Sequence, residues 1–321
     1  LVRSRGLGDV YKRQILDRYR RDDSDVLEYT GFIYPHSAIK DENKTETKFN
    51  ILCETLEQID AAVDFAKSEG IVFDEISIES ELISEPSLYD KIESIRECCA
   101  SFNLYMPHIF RDESKTFFNK HLQRIRELNF DNFIVRSLEE IFYINDNIDT
   151  NANIILDYSV YAYNKNTIDF YNENFNIKRL TYPLELNLSE IRQLDNPGNE
   201  MIAYGKIPMM VSAQCLKKTT KGCDHKKEIL VLKDRKNSEM QVKTHCDFCY
   251  NTILNSKPLS ILGMEKEVKK ISPSILRLWF TTENVGETKN VLRKYIDDFC
   301  NNVSVLNIDD FTRGHLKRGI E

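Results

Sequence analysis

The chain has 321 residues, which is long enough to bury a full hydrophobic core as one large domain or two smaller ones. Its composition is 41% hydrophobic and 30% charged, as in ordinary folded proteins, and no apolar run approaches the length of a membrane span. The net charge of −7 gives no support for binding nucleic acid through the whole surface. Because the N-terminus lacks the apolar core of a secretory signal, we expect a cytoplasmic protein with no membrane partner.

The first part of the chain differs from the rest. Residues 1–14, LVRSRGLGDVYKRQ, have no apolar period and a basic charge balance. They resemble the adapter-like sequence found at the ends of some metagenomic gene fragments, so we predict that they are a sequence artefact and that the chain is a C-terminal fragment. Residues 15–46 are polar and weakly periodic, and we interpret them as a linker and the end of an upstream module.

Eight short apolar, β-branched segments follow within residues 47–310, and helical patterns lie between most of them. They are FNILC (49–53), DEISIES (74–80), FNLYM (102–106), NFIVR (132–136), NIILD (153–157), IKRLTY (177–182), EMIAYG (200–205) and SILRLWFT (274–281). The first helix is marked by a capping box at Thr55 and Gln58 and a stop at Gly70. This alternation predicts parallel βα units in an α/β protein, closing into a (β/α)₈ TIM-like barrel. An open doubly wound sheet is the alternative.

The regular alternation of strands and helices is interrupted between the seventh and eighth strands. A cysteine-rich insertion at residues 212–258 occupies this interval, and a basic tail at 311–321 ends the chain. In a barrel, the insertion would leave the carboxyl end of strand seven, where barrel enzymes keep their sites. Residues 216–243 contain nine Lys/Arg and four Asp/Glu, which indicates either a local RNA contact or a solvated lysine-rich loop.

The insertion contains the spacing C-x₇-C-x₂₂-C-x₂-C. Four reduced thiolates suit either zinc or an iron–sulfur cluster, and the absence of any metal is a third possibility that the spacing leaves open. The four candidate ligands are Cys215, Cys223, Cys246 and Cys249.

Two histidines lie beside these cysteines. His225 and His245 could each replace one ligand, but we interpret both as exposed loop histidines. The other cysteines have no metal-binding spacing, and we expect them to be buried as small hydrophobic residues. They are Cys53, Cys98, Cys99 and Cys300.

The sequence lacks the HExxH, GxSxG, P-loop and GxGxxG motifs. What remains is a set of polar residues at the carboxyl ends of the predicted strands, which a barrel would bring to one mouth. They are Glu54, Glu79, His108, Arg136, Asp157, Glu185 and Glu283. The catalytic candidates among them are Asp157, His108, Arg136 and Glu185. A carboxylate that ends an apolar strand, as Asp157 does, is rarely there for packing. For His108, the alternative to catalysis is a structural role. Arg136 could hold an anion or pair with a helix carboxylate.

Several phrases together resemble one family. They are EMIAYGKIPMMVSAQC (200–215), LKDRK (232–236), HCDFCYNTILNSKPLS (245–260), LRLWFTTEN (276–284) and FTRGHLKRGIE (311–321). They resemble the C-terminal module of the long collagenase-like proteins of peptidase family U-32. The resemblance implies a barrel-type fold and a 4Fe–4S cluster rather than zinc. At the matching positions, its ligands would be Cys215, Cys223, Cys246 and Cys249.

Members of this family were first described as collagenases, and others are required to hydroxylate a cytidine in 23S ribosomal RNA, a wobble uridine in transfer RNA, or the ubiquinone ring. The long architecture resembles the ribosomal RNA group most. The first cysteine comes later than in the family's main signature, because Pro208 and Met209 follow strand seven. The chain therefore resembles the second, divergent module.

The resemblance implies an iron–sulfur protein that acts in rRNA or tRNA base hydroxylation. Its expected partners are RNA and the upstream modules of the same full-length protein, and no DNA is expected. The alternatives are a collagenase-like peptidase, or a non-catalytic RNA- or substrate-binding module of a larger enzyme. The candidate phosphate contacts are Lys233, Arg235, Arg313 and Lys317.

Overall fold

The computed structural model describes residues 47–194, 198–235 and 237–317. The predictions for residues 1–14 and 15–46 lie outside this part of the chain, as do residues 318–321 of the basic tail.

The main sheet has nine strands. They are β1 (Phe49–Cys53), β2 (Phe73–Glu79), β3 (Cys99–Tyr105), β4 (Asn132–Val135), β5 (Ile154–Leu156), β6 (Ile177–Leu180), β7 (Glu200–Gly205), β12 (Leu259–Ser260) and β13 (Ile275–Phe280). Their order is β12-β7-β13-β1-β2-β3-β4-β5-β6. All neighbours pair in parallel except β12, which is antiparallel to β7. All eight predicted strands therefore exist, and their order contradicts a doubly wound sheet, because no strand reversal occurs along it.

The sheet is curled rather than flat. Thr181, directly after β6, forms an isolated parallel bridge to Glu200 in β7. The amide of Tyr182 also donates to the carbonyl of Glu200 over 2.9 Å. The α/β class and the curled parallel sheet are thus confirmed.

Ten α-helices lie in the described part of the chain. They are α1 (Leu56–Glu69), α2 (Ile92–Glu97), α3 (Asp112–Lys120), α4 (Leu122–Leu128), α5 (Leu138–Asn147), α6 (Lys165–Asn174), α7 (Leu188–Gln193), α8 (Leu216–Thr220), α9 (Glu265–Lys269) and α10 (Val285–Phe299). Short 3₁₀ turns occupy Ser80–Ser84, Pro86–Lys91 and Tyr158–Val160. The predicted capping box of α1 is present, and Gly70 ends this helix with φ = 66°.

The two faces of the curled sheet bury different chemistry. Asn50 in β1 donates to Glu200 on the inner face over 2.8 Å. Because side chains alternate along a strand, Ile51 lies on the outer face, where it belongs to the hydrophobic core. None of these side chains is exposed to solvent. The outer face therefore packs as an apolar layer, while hydrogen bonds and ion pairs fill the inner face.

The insertion forms a second sheet. Its strands are β8 (Pro208–Ser212), β9 (Ile229–Lys233), β10 (Glu239–His245) and β11 (Tyr250–Leu254), all antiparallel, in the order β8-β11-β10-β9. It leaves the main sheet at Gly205, whose φ is 144°. A Cβ there would lie 2.6 Å from the carbonyl oxygen of Trp279, so only glycine fits this exit.

Candidate functional site

The polar residues predicted at the strand ends meet at one edge of the main sheet. Because β1 to β7 and β13 run parallel, their carboxyl ends share this edge. Five of the seven residues are buried: Glu54, Glu79, Arg136, Asp157 and Glu283. His108 and Glu185 are partly exposed.

Asp157 lies at the centre of this group. Arg277 Nη1 donates to its Oδ1 over 2.6 Å. Tyr105 and Arg136 Nε donate to its Oδ2 over 2.7 Å and 3.3 Å. With three donors and no exposure, the carboxylate is fixed in orientation.

Arg277 extends the network into the sheet. Its Nε donates to Glu200 over 2.6 Å, and its Nη2 donates to Thr181 over 2.9 Å. Arg179 pairs in turn with Glu200 and with both oxygens of Glu75. Burial opposes the charge of Glu200, but Arg277 and Arg179 outweigh it and lower the pKa of this carboxyl to about 2.

Arg136 differs from the other buried arginines. Its guanidinium lies over the ring of Tyr105, with 3.7 Å from Cζ to the ring centroid. Its backbone amide donates to Glu140 over 2.6 Å. Within the described part of the chain, its buried Nη1 and Nη2 have no hydrogen-bond partner.

Burial sets the protonation of two neighbours of Arg136. It raises the pKa of Glu79 to about 8, although the charges of Arg136 and Lys243 act in the opposite direction. Burial also holds the pKa of His108 well below its ordinary value, and the charges of Arg136 and His245 add to this effect. Burial thus favours the protonated form of Glu79 and the neutral form of His108.

The second sheet covers this edge. From β10, Lys243 forms an ion pair with Glu54. From β11, the hydroxyl of Tyr250 accepts a hydrogen bond of 3.1 Å from the backbone amide of His108. Lys206 donates to Gln241 in β10 over 2.7 Å. These polar contacts hold the insertion against the carboxyl edge of the main sheet.

His245 is buried, so its prediction as an exposed loop histidine is wrong, whereas His225 is exposed as expected. Glu81 Oε2 lies 3.1 Å from Nδ1 of His245, and Thr252 Oγ1 lies 3.2 Å from its Nε2. The imidazole stacks on Tyr250 with 4.4 Å between ring centroids. The buried ring pairs with Glu81, a carboxylate that is distant in the sequence.

A small cavity, with room for about one water molecule, lies between the two sheets. Its lining residues are Glu54, Glu79, His108, Pro208, Lys243, His245, Thr252, Leu254 and Trp279. Trp279 forms an aromatic wall, and its Nε1 donates to Glu54 over 2.8 Å. The cavity thus combines one aromatic wall with acidic, basic and imidazole groups.

The cysteines of the insertion lie near the end of β10 that lines the cavity. Cys246 and Cys249 occupy the turn between β10 and β11, and Cys215 directly precedes α8. Burial raises the pKa of Cys249, and the charges of Cys223 and Cys215 raise it further. Burial, and to a lesser degree the charge of Cys215, likewise raise the pKa of Cys246. The four thiols are therefore close enough to influence one another electrostatically.

Asn251 fixes this arrangement. Its Oδ1 accepts a hydrogen bond of 2.8 Å from the backbone amide of Leu216. This bond joins the segment after Cys215 to strand β11. Across the described residues, no three His, Cys, Asp or Glu side chains converge on one point as a single metal ion requires.

The remaining candidates lie away from the cavity. Glu185 has one buried oxygen without a hydrogen-bond partner in the described structure. Burial raises the pKa of Tyr163, and a hydrogen bond with Glu185 raises it further. Arg313 donates to the carbonyls of Ser260 and Leu262 over 2.6 Å and 2.8 Å. Lys233, Arg235 and Lys317 are exposed, and Lys233 pairs with Glu239.

The prediction that the other cysteines are buried is confirmed for Cys53, Cys98 and Cys99 and wrong for Cys300, which is exposed.

The sequence alone did not identify three residues of the site, Arg277, Lys243 and Thr252. A charged residue inside the apolar run LRLWF was the available signal for Arg277. No local signal distinguished Lys243 from the other lysines of the insertion.

A family model described as "Peptidase family U32" matches residues 82–250, just over half of the chain. A search of the curated proteins finds no match. Among the residues that the structure describes, no helix has the length and apolar character needed to cross a membrane.

Two solved structures have limited similarity to this chain, with TM-scores of 0.40 and 0.33. An uncharacterized B. cereus protein has a TM-score of 0.40 and 13% identity, and the match covers 77% of this chain and 65% of that one. The YdjI aldolase from Escherichia coli K12 has a TM-score of 0.33 and 10% identity, with 49% and 66% covered. The chain thus spans slightly less than two thirds of each of these proteins.

Proposed function

Because the chain belongs to peptidase family U32, we propose that it is an iron–sulfur protein that acts in hydroxylation of a base in ribosomal or transfer RNA. One observation carries this proposal. The insertion brings four thiols together beside the residues that line a polar cavity at the carboxyl edge of the main sheet. The proposal assigns the thiols to a cluster and the polar edge around the cavity to the reacting group.

The fold assigned with this function is a (β/α)₈ TIM-like barrel with the cysteine-rich insertion between its seventh and eighth strands. The unbroken parallel order from β7 through β13 and β1 to β6 supports it. The bridge from Thr181 to Glu200 supports closure of the ring. Such a barrel would place the cavity at the face where barrel enzymes bind substrate.

The cluster ligands would be Cys215, Cys223, Cys246 and Cys249. Four reduced thiolates suit either zinc or an iron–sulfur cluster, and membership of the family favours the 4Fe–4S cluster. When bound, such a cluster transfers single electrons.

The protein residues would position the RNA. Lys233 and Arg235, at the exposed end of β9, would contact phosphate. Asp157 and Arg277 would hold the neighbouring groups rigid, because their own hydrogen-bonding capacity is already used within the network. The upstream modules of the full-length protein would complete the RNA-binding surface.

Reconstitution under anaerobic conditions tests the cluster. We expect wild-type protein to bind iron and sulfide and to develop a broad visible absorption band, and Cys246→Ser to lose both. Cys300→Ser is the matched control, because Cys300 is exposed but lies outside the group. A colourless wild-type protein with stoichiometric zinc would contradict the cluster.

Mass spectrometry of ribosomal and transfer RNA tests the reaction. A strain lacking the gene should lose one hydroxylated base, and the wild-type gene should restore it. Unchanged modification in both RNA classes would count against the proposal. Weaker RNA binding with intact modification at saturating substrate would instead indicate a non-catalytic binding module.

A collagenase-like peptidase is the second candidate, and one arrangement favours it. Thr252, His245 and Glu81 form a hydrogen-bonded series in which a hydroxyl, an imidazole and a carboxylate follow one another. A nucleophile, a base and an orienting acid have this order in acyl-transfer enzymes. Cleavage of denatured collagen by purified protein, abolished in Thr252→Val and retained in Cys246→Ser, would establish it over the first candidate.

A further inference from the structure

The insertion joins the main sheet through a narrow neck. Gly205 pairs with Leu259 in the main sheet, and Pro208 pairs with Leu254 in the inserted sheet. Residues 206–207 and 255–258 lie between these two pairs and form the neck. Because so few residues connect the two sheets, a change in their backbone angles can turn the inserted sheet without breaking a pair in either sheet.

Phe248 holds the end of β11 that lies opposite the neck. It is in the turn between β10 and β11, whereas Leu254 at the neck is the last residue of β11. Its ring centroid is 5.0 Å from that of Phe117 and 6.2 Å from that of Phe118, both in α3. Phe248 is 2% exposed, so it acts as an apolar clasp that stabilises the docked position of the insertion.

Between the neck and the clasp, charged side chains join the insertion to the main sheet. Lys243 pairs with Glu54, and His245 lies 3.1 Å from Glu81, with all four side chains largely buried. Burying charges costs about as much free energy as their pairing returns, so these pairs add little net stability to the docked position. The free energy of undocking is therefore set chiefly by apolar contacts such as that of Phe248.

The docked insertion seals the polar edge of the main sheet. Glu79 and Trp279 are each 1% exposed, and Asp157 is fully buried. In the described structure, the space between the two sheets has room for about one water molecule. A ligand larger than water therefore reaches these residues only when the insertion moves away.

We propose that the inserted sheet is a hinged lid, which turns as one unit about the neck and is clasped shut by Phe248. Opening exposes the polar residues of the carboxyl edge, while the hydrogen bonds inside each sheet stay intact. The inference concerns access to this edge, so it holds for any reaction there and goes beyond the proposed RNA hydroxylation.

The indole proton of Trp279 reports on this opening in the full chain. Trp279 is the only tryptophan of the sequence, and its Nε1 donates to Glu54 over 2.8 Å at the covered edge. One indole resonance is therefore expected in a nitrogen–proton NMR spectrum, and its exchange in deuterated water measures the open population. In wild type, we expect this proton to exchange orders of magnitude faster than the amides of β13, and faster than the paired amides of β10 and β11.

Phe248→Ala should raise the indole exchange rate about tenfold or more, because the closed lid loses the burial of one aromatic side chain. The ratio of the indole rate to the rates of the β10 and β11 amides should rise with it. Phe170→Ala is the matched control, because Phe170 is a half-exposed aromatic residue on α6, and it should leave the indole rate unchanged.

Two results in wild type would overturn the lid, whether or not Phe248→Ala folds. Indole exchange as slow as that of the β13 amides would show that the edge opens only in global unfolding. Exchange of the β10 and β11 amides at the indole rate would show that the insertion unfolds instead of turning. An unchanged indole rate in folded Phe248→Ala would overturn the clasp. The cluster and RNA assays are independent of all three results.

Discussion

At the scale of single residues, the inner face of the sheet is held by charges that alternate in sign. Arg179 bridges Glu75 and Glu200, and Arg277 bridges Glu200 and Asp157. Each arginine compensates two buried carboxylates, so the group is stable only while all its members are present. Removing one member leaves charges that neither water nor protein can satisfy.

Arg277→Met should therefore be strongly destabilising. We expect it to lower the free energy of unfolding by about 3–5 kcal/mol, because Glu200 and Asp157 each lose one of their charged partners. Urea denaturation measures this loss. Arg293→Met is the matched control, since Arg293 pairs with Glu69 on the surface, where water screens the charges. Equal losses in the two variants would contradict the assigned role of Arg277.

Glu79→Gln should change how stability depends on pH. The pKa of Glu79 is about 8 in the folded protein, against an ordinary value of 4.5 for a glutamate side chain. The folded state therefore holds this proton more tightly, and its contribution to stability falls as pH rises from about 4.5 to about 8. Glutamine cannot ionise, so the variant should gain up to a few kcal/mol over wild type above this window, at about 1.4 kcal/mol per pKa unit.

Denaturation at about pH 5 and about pH 9 measures this difference. Glu140, whose pKa burial also raises to about 8, should leave a residual slope in both proteins. Glu57→Gln, on the exposed face of α1, is the control and should retain the wild-type slope. Parallel pH profiles for Glu79→Gln and wild type would contradict the prediction.

At the scale of elements, strand β10 joins the cavity to the turn that carries two of the thiols. Lys243 and His245 face the cavity, and Cys246 follows directly in the turn. Strand β11 begins with Tyr250 and Asn251, which contact the main sheet and the Cys215 segment respectively. A change at the thiols is thus only a few residues from the groups that close the cavity.

Asn251→Ala should loosen the segment that carries Cys215. Losing its hydrogen bond to the Leu216 amide, of about 1 kcal/mol, should speed alkylation of Cys215 about fivefold. Iodoacetamide labelling followed by peptide mass spectrometry gives the rate, with Cys300 as an internal reference. Asn301→Ala, exposed after α10, should leave the Cys215 rate unchanged. An unchanged rate in Asn251→Ala would show that other contacts hold this segment.

At the scale of the whole molecule, the two sheets differ in how their strands are paired. β13 lies between β7 and β1 in the main sheet, so both of its edges are hydrogen-bonded. β9 is an edge strand of the insertion, and Ile229 and Val231 are about half exposed on it. Local opening should therefore begin in the insertion and reach the main sheet last.

Hydrogen exchange should show this order directly. Amides of β13 should exchange orders of magnitude more slowly than those of β9, because they open only in global unfolding. Peptide-resolved exchange followed by mass spectrometry measures both in one experiment. β10, paired on both edges within the insertion, should be intermediate. Equal protection of β9 and β13 would mean that the two sheets unfold as one unit.

The sequence by itself determined the elements of this protein and much of their order. Strand segments such as FNILC and EMIAYG, and the capping box at Thr55 and Gln58, are local patterns that specify structure within a few residues. Regular alternation of strands and helices then led to the parallel sheet, which placed Asp157 and Arg136 at one edge. The polar network around Asp157 needed only that inference.

Only the tertiary structure decided which charges meet. Arg277 pairs with Asp157 across 120 residues of sequence, and His245 with Glu81 across 164. Neither partner can be identified locally, because a buried charge is stabilised by whichever group the folded chain brings beside it. For the same reason, the sequence could place the insertion after strand seven, but the tertiary structure showed that it covers the cavity. Likewise, only the folded structure shows that the buried Nη1 and Nη2 of Arg136 have no hydrogen-bond partner among the described residues.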